Sequence, residues 1–317
     1  MTMQTSTNQL IEGFEPRHAA LWGHEPVRLR HRLSETGLFS DAALAALLRS
    51  YPRQNYDLLR MAEQGTGNLA LWEEGELGEL DGAVALEAVK AGRLWLNLRR
   101  VHEASTPHAR LLQRMFDELA GHLPGFKPYR LNLGILISSP GAQVYYHADV
   151  PGQSLWHIRG RKRVYLYPNH PPFLPEDQIE KIILGFTEAE INYQPWFEDY
   201  ARSYELDPGE LLSWPLNAPH RVENLDGVNV SVTTEHWTRA IRNSYAVRYA
   251  NGVIRNQLRL PPPPPTTHGA RFWARAALAA GVKASGLLRQ KRMERWVRWQ
   301  LAPDRADKVR PITPYLL

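Results

Sequence analysis

The sequence predicts an α+β protein with a mainly β core closed as a barrel or jelly roll, preceded by a helical part and followed by C-terminal helices. Three observations carry this. From Tyr129 the chain breaks into short apolar runs cut by turn residues (RLNLGILIS, VYYHAD, SLWHI, RVYLY), which is the pattern of closely spaced strands. Before it, apolar residues recur at helical spacing. After it, five consecutive prolines at 261–265 end any sheet and lead into a basic amphipathic tail.

Taken in order, residues 41–63 show helical spacing around Ala42, Leu44, Leu47 and Leu48, interrupted at Pro52. Residues 83–92 and 106–121 read as helices, the second with Leu111, Leu112, Met115, Phe116 and Leu119 on one side. The first third is therefore expected to be mostly helical. The β-rich pattern runs on from Tyr129, is interrupted by an insertion at 170–200, and resumes at YELDPGELLSWPLNAPHRVENLDGVNVSVTTEHW. The insertion carries Phe173, Phe186, Tyr193, Trp196 and Phe197, expected either as a substrate wall or as a packed excursion over one barrel end. Residues 271–300 read as two short basic helices hinged between Gly281 and Gly286, with Trp296 and Trp299 on one helical face. The organisation is thus 1–128 helical, 129–260 β-barrel, and 261–317 Pro-rich linker with helical tail.

Composition narrows the chemistry. The 317 residues contain no cysteine, which excludes disulfide scaffolds, thiolate metal sites and cysteine nucleophiles. Any metal must be held by His, Asp or Glu. No signal-like N-terminus and no run of eighteen apolar residues occurs, so a soluble cytoplasmic protein is expected. Of 38 Lys+Arg and 33 Asp+Glu, 11 and 3 lie from Pro261 onward, leaving 27 against 30 before it. The basicity belongs to the tail, and the body lacks the charge signature of a nucleic-acid binder.

Within the β-rich part stands His147-Ala148-Asp149, and further on His220 in WPLNAPHRVEN. In a strand, residues i and i+2 share a face, so His147 and Asp149 can offer a ring nitrogen and a carboxylate oxygen to one ion. With His220 they make two imidazoles and one carboxylate, the set that leaves three octahedral positions open in non-haem Fe(II) oxygenases. Taken alone, a His-x-Asp triplet among 12 histidines is as easily coincidence. Thirteen residues after Asp149 comes Lys162, in a segment that reads as strand 153–158, a tight turn at Arg159-Gly160 and strand 162–167. Such a hairpin returns toward the metal, where an ammonium can pair the far carboxylate of a dicarboxylate keto acid. The bland alternative is a solvated basic hairpin, RGRKR.

The order His-x-Asp, thirteen residues to Lys inside WHIRGRKRVYLYP, then the distal His and a strand ending in Trp, resembles the cupin-like JmjC oxygenases and among them the asparaginyl and other peptidyl hydroxylases. The resemblance covers about residues 129–237. It implies a double-stranded β-helix (cupin or jelly roll), Fe(II), 2-oxoglutarate and dioxygen, with decarboxylation coupled to hydroxylation. By position, His147, Asp149 and His220 match the metal ligands, and Lys162 matches the lysine that holds the 2-oxoglutarate C5 carboxylate. Gln153 and His157 fall where hydroxylases often have Asn and Gln, Glu235 near another frequent Asn, and Trp237 near the Trp closing the last strand. Val144 stands where a 2-oxoglutarate-binding Thr is frequent, so the second co-substrate contact is left to Asn132, Tyr145 or Thr233.

A hydroxylase acting on a protein or peptide side chain, or on an amino-acid-like small molecule, is the leading expectation. A non-catalytic cupin binding module and a nucleic-acid-associated regulator using the basic tail are the rivals. The resemblance further implies a homodimer through the C-terminal helices, so residues 270–300 are expected to dock on a partner subunit or on the barrel. Nucleic acid is left to the tail, and truncation after Arg259 is expected to spare the iron and 2-oxoglutarate sites.

Overall fold

The computed structural model describes residues 9–61, 72–187, 191–286, 288 and 294–317. Five strands precede residue 129: β1 (Ile11–Glu12), β2 (Val27–His31), β3 (Tyr56–Met61), β4 (Trp72–Glu76) and β5 (Leu94–Leu98). Between them lie helices α1 (Pro16–Leu21), α2 (Asp41–Leu48) and α3 (Gly82–Ala91), followed by α4 (Val101–Ala104) and α5 (Thr106–His122). The barrel strands are β6 (Tyr129–Ser138), β7 (Gln143–His147), β8 (Gly152–Leu166), β9 (Arg202–Leu206), β10 (Glu210–Ser213) and β11 (His220–Trp237), with α6 (Glu176–Leu184) between β8 and β9. Helices α7 (Arg239–Asn256) and α8 (Gly269–Ser285) and strands β12 (Trp296–Leu301) and β13 (Val309–Leu316) complete the chain.

β8 and β11 pair antiparallel along their length and belong to two sheets at once. The first half of β8 with the second half of β11 lies between β10 and β6, and the remaining halves lie between β9 and β7. Two four-stranded sheets sharing two long strands make the expected double-stranded β-helix. The crossing from one sheet to the other coincides with register shifts between Asn224 and Ser231. There Gly160 takes φ +80°, and a Cβ on it would lie 2.7 Å from the Val228 carbonyl oxygen, so neither the conformation nor the space admits a side chain. The expected hairpin at Arg159-Gly160 is therefore a bend within one continuous strand. Lys162 lies on the second half of β8, opposite Asn224 of β11 and Leu206 of β9.

The first third is less helical than its periodicity suggests. Helix α2 ends at Leu48 after capping by Ser40, whose side chain accepts from the Ala43 N–H. Residues 56–61 form β3 because they pair with both β4 and β5, and that pairing overrides the local helical spacing of Leu58 and Leu59. β5 joins the barrel through β6, so β3, β4, β12 and β13 extend the barrel sheet beyond its edge. Leu94, Leu96 and Leu98 of β5 are fully buried in a core shared with Leu44, Leu86, Met115 and Leu119 from α2, α3 and α5, while Trp95 and Asn97 face the opposite side.

The 170–200 insertion is a packed excursion. Tyr167, Tyr193 and Phe197 pack edge-on or tilted around Tyr146, with Phe173 against Phe197, in a core with Ile179, Ile183 and Val253 of α6 and α7. In the tail, α8 buries Phe272, Arg275 and Ala279 against its own chain, but residues 296–301 are a strand and not the second helix. β12 runs parallel to β4 and antiparallel to β13, which leaves Trp296 exposed and Trp299 3% exposed, on different faces. Hydrogen bonding along β4 replaces the helical ladder that the local spacing allowed. Leu287, Arg289, Lys291 and Arg292 of the expected second helix lie outside the described residues. The Trp299 ring covers Gly75, where a Cβ would sit 2.3 Å from ring carbon, and its Nε1–H donates to the Glu73 carbonyl at 3.0 Å. Trp299→Ala is expected to cost about 3–5 kcal/mol, the usual loss for truncating a buried aromatic, measured by reversible urea unfolding.

Candidate metal centre and cavity

β7 ends and β11 begins on a directly opposed pair, His147 and His220, whose ring centroids are 4.0 Å apart. Asp149 lies two residues beyond the strand, in the loop to β8, and not in the strand itself. Its main chain is held from outside: Asn217 Nδ2 donates to the Asp149 carbonyl at 2.6 Å, Arg248 of α7 donates to Asn217 Oδ1 at 3.1 Å, and Glu176 of α6 accepts from Arg248. Asn217 adopts φ 59°, a left-handed conformation that Asn tolerates better than most residues.

The three side chains converge. His147 Nε2 and His220 Nε2 lie 4.0 and 3.4 Å from Asp149 Oδ2, and one ligand atom from each residue falls within 4.8 Å of the others. His147 Nδ1 faces the Tyr145 carbonyl at 2.7 Å and His220 Nδ1 the Ala218 carbonyl at 3.0 Å. A carbonyl accepts only from N–H, so both rings keep the proton on Nδ1 and turn an Nε2 lone pair toward Asp149. Burial raises the Asp149 carboxyl above its usual range, opposed by His147, and burial then His147 push His220 well below its usual range. Two lone pairs and a carboxylate at this spacing fit a divalent cation, whose charge would offset both burial penalties. Trp214 packs against the His220 ring at 4.7 Å between centroids.

The triad lines a cavity of about 470 Å³. Gln153, Asn132, Tyr145 and Thr233 are on its wall, as are Val144 and Glu235. Trp237 is not: its ring packs edge-on against Tyr245 of α7, because the strand ends there and α7 turns across it. His157 points inward at a deeper level, between Ser231 Oγ and the Gly160 carbonyl, and is held neutral by burial, its pKa pushed down to about 3. A smaller recess shares Trp95, Leu136, Val144, Leu155 and Val222 with the main cavity and is closed by Lys162 and Asn224. Lys162 is 2% exposed, and among the described residues no carboxylate lies within ion-pair distance of it. Burial alone lowers its pKa to about 7.

Several cavity residues escaped the sequence reading. Trp95 and Asn97 of β5, Asp57 of β3, Glu74 of β4, and Arg99 and Arg295 line the outer half, because the sheet continues past the barrel and presents the same face. Asp57 pairs with Arg99 at 3.2 Å and Arg295 at 2.5 Å, and Glu74 pairs with Arg53 at 3.0 Å and with Arg295. The tail thus supplies part of the cavity wall, so truncation after Arg259, expected to spare the iron and 2-oxoglutarate sites, would remove Arg295 from it.

No family model matches the chain. It is 34% identical over 149 residues to tRNA wybutosine-synthesizing protein 5 of Danio rerio, covering 44% of this chain and 45% of that protein. The human protein of the same name is 33% identical over 104 residues, 32% of this chain and 33% of that one. The chain therefore matches less than half the length of these curated relatives. Among solved structures it aligns with the ribosomal oxygenase YcfD of Escherichia coli at 18% identity, over 90% of this chain and 69% of that chain, with a TM-score of 0.49. No helix among the described residues is long and apolar enough to cross a membrane.

Replacing Asn217 by Ala leaves all three ligands in place but frees the Asp149 main chain. It is expected to weaken Co(II) binding about 10–100-fold, the usual effect of losing an outer support, read from a visible-absorption titration.

Proposed function

We propose that this chain is an Fe(II)- and 2-oxoglutarate-dependent oxygenase that hydroxylates a protein or peptide side chain or an amino-acid-like small molecule. The observation that carries the reading is the pairing of an open His/Asp/His triad with a buried cation, Lys162, that has no counter-charge of its own. A non-catalytic binding module has no use for that lysine, which costs stability unless an anion arrives.

The net reaction is R–H + O₂ + 2-oxoglutarate → R–OH + CO₂ + succinate. Fe(II), when bound, supplies the open coordination positions and the oxidising chemistry. The chain does the rest. His147, Asp149 and His220 hold the metal on one side, with ring orientation fixed by the Tyr145 and Ala218 carbonyls. Lys162 receives the distal carboxylate in the recess, while Leu136, Val144, Leu155 and Val222 keep the passage dry. Tyr145, Thr233 and Gln153 offer polar atoms around the co-substrate, and Trp214 shields His220.

A second reading is favoured by the curated relatives, which are named for tRNA wybutosine synthesis: hydroxylation of a modified tRNA nucleoside. Incubating the Fe(II)-loaded chain with 2-oxoglutarate and either a peptide library or bulk tRNA, followed by mass spectrometry, separates the two by which pool gains 16 Da. Cytoplasmic action and pairing of two copies through the outer face of α8, where Trp273 is exposed, belong to the same reading.

His147→Ala, Asp149→Ala and His220→Ala are each expected to abolish succinate formation while leaving the circular dichroism spectrum unchanged, since each removes a ligand. Lys162→Ala is expected to weaken 2-oxoglutarate by about 2–5 kcal/mol, the usual cost of stranding one charge of a buried pair. Equal 2-oxoglutarate affinity in parent and variant would place the lysine outside the site. A pH dependence follows as well. The free lysine loses its proton near pH 7, below its value in water, and a bound carboxylate restores it. Binding above about pH 7 must therefore take up a proton and weaken by up to about tenfold per pH unit. Calorimetry in two buffers of different ionisation enthalpy reads this uptake directly.

A further inference from the structure

Among the described residues four acidic side chains line the cavity, and three have an assigned partner. Asp149 belongs to the triad, and Asp57 and Glu74 are paired with Arg53, Arg99 and Arg295. Glu235 differs. Its carboxylate lies on the cavity wall, and its one hydrogen bond is from Asn132 Nδ2 to Oε2 at 3.1 Å. Among the described residues no Lys, Arg or His nitrogen comes within 4.0 Å of it. Its cross-strand neighbour adds to the imbalance: Asn132 Oδ1 is buried and accepts no hydrogen bond.

Asn132 Oδ1, which has no donor, and the Glu235 carboxylate, which has one neutral donor and no cation, stand side by side in a partly dry wall. Such a pair is costly unless something arrives to donate to both. A neutral donor would leave the charge uncompensated. A guanidinium fork prefers two parallel oxygens of one carboxylate, whereas a compact ammonium with three rotatable donors can bridge a carboxylate and an amide oxygen. The position in the cavity decides whose group this is. Glu235 and Asn132 line the main cavity together with the triad, whereas Lys162 lines only the smaller recess. The acceptor pair therefore faces the open cavity beside the triad, outside the recess that takes the co-substrate carboxylate.

We propose that Glu235 and Asn132 Oδ1 form a subsite for a primary ammonium group of the substrate, placed beside the metal centre. The inference rests on the oxygenase reading for what happens next to that ammonium, but not for its binding. The group can be a side-chain amine or a free α-amine, and three probes separate them: Nα-acetyl-L-lysine N-methylamide, L-norleucinamide, and Nα-acetyl-L-norleucine N-methylamide as the neutral isostere.

Dissociation constants are measured by ligand-observed NMR on the full chain, as purified and after loading with Fe(II) and 2-oxoglutarate under argon. At least one amine is expected to bind ten or more times tighter than the neutral isostere. That preference is expected to vanish in Glu235→Gln and to survive in Glu235→Asp, which separates charge from shape. Equal affinity for all three probes, or a preference that persists in Glu235→Gln, overturns the subsite. A parent chain that takes up neither Fe(II) nor 2-oxoglutarate overturns the oxygenase reading instead, and the metal-free titration still decides the role of Glu235.

Discussion

The antiparallel pairing of β8 with β11 is the constraint on which the molecule depends. Because each strand serves two sheets, one register fixes the triad end and the lysine end of the cavity together. A slip of one residue would turn His220 out of line with His147 and would move Thr233 and Glu235 from the cavity to the outer core. The bend at Gly160 carries the strand from one sheet to the other where the register shifts between Asn224 and Ser231, so the spacing of metal centre and co-substrate anchor is set by backbone pairing on either side of that bend.

Charge is distributed along that axis in a way that a stable, ligand-free protein has little reason to keep. At one end two imidazoles and a carboxylate converge on a common point, and at the other a lysine is buried without an anion. Each end is unfavourable alone. A metal ion and a dicarboxylate bridging the two would satisfy both, which is why the pair is more informative than either motif. The outer half of the cavity follows the opposite rule, with Asp57, Glu74 and the arginines neutralising one another in advance.

Much of this was legible in the sequence because it is local. The alternation of the barrel strands, the His-x-Asp triplet, the distance to Lys162 and the Pro-bracketed His220 all lie in windows of a dozen residues. What was hidden is what depends on pairing across the chain. Residues 56–61 have helical spacing and become a strand only because β4 and β5 flank them, and Trp299 sits in a segment whose spacing suits a helix until β4 offers an edge. The direction of the Trp237 ring was not legible, because nothing in its own strand announces that Tyr245 will pack against it. The support of Asp149 by Asn217, Arg248 and Glu176 is likewise invisible locally, since the four residues come from a loop, another loop and two helices.

The parallel pairing of β12 with β4 places Arg295 against Glu74, 221 residues earlier in the chain. The barrel and its triad are built from residues that end at Trp237, whereas the cavity wall waits for a strand that comes almost sixty residues later. During synthesis the chain therefore passes through a stage at which the metal centre can assemble while one side of its cavity is still open to water. Closing a loop of that length is entropically slow, so the wall belongs to the last contacts to form and to the first to be lost on partial unfolding.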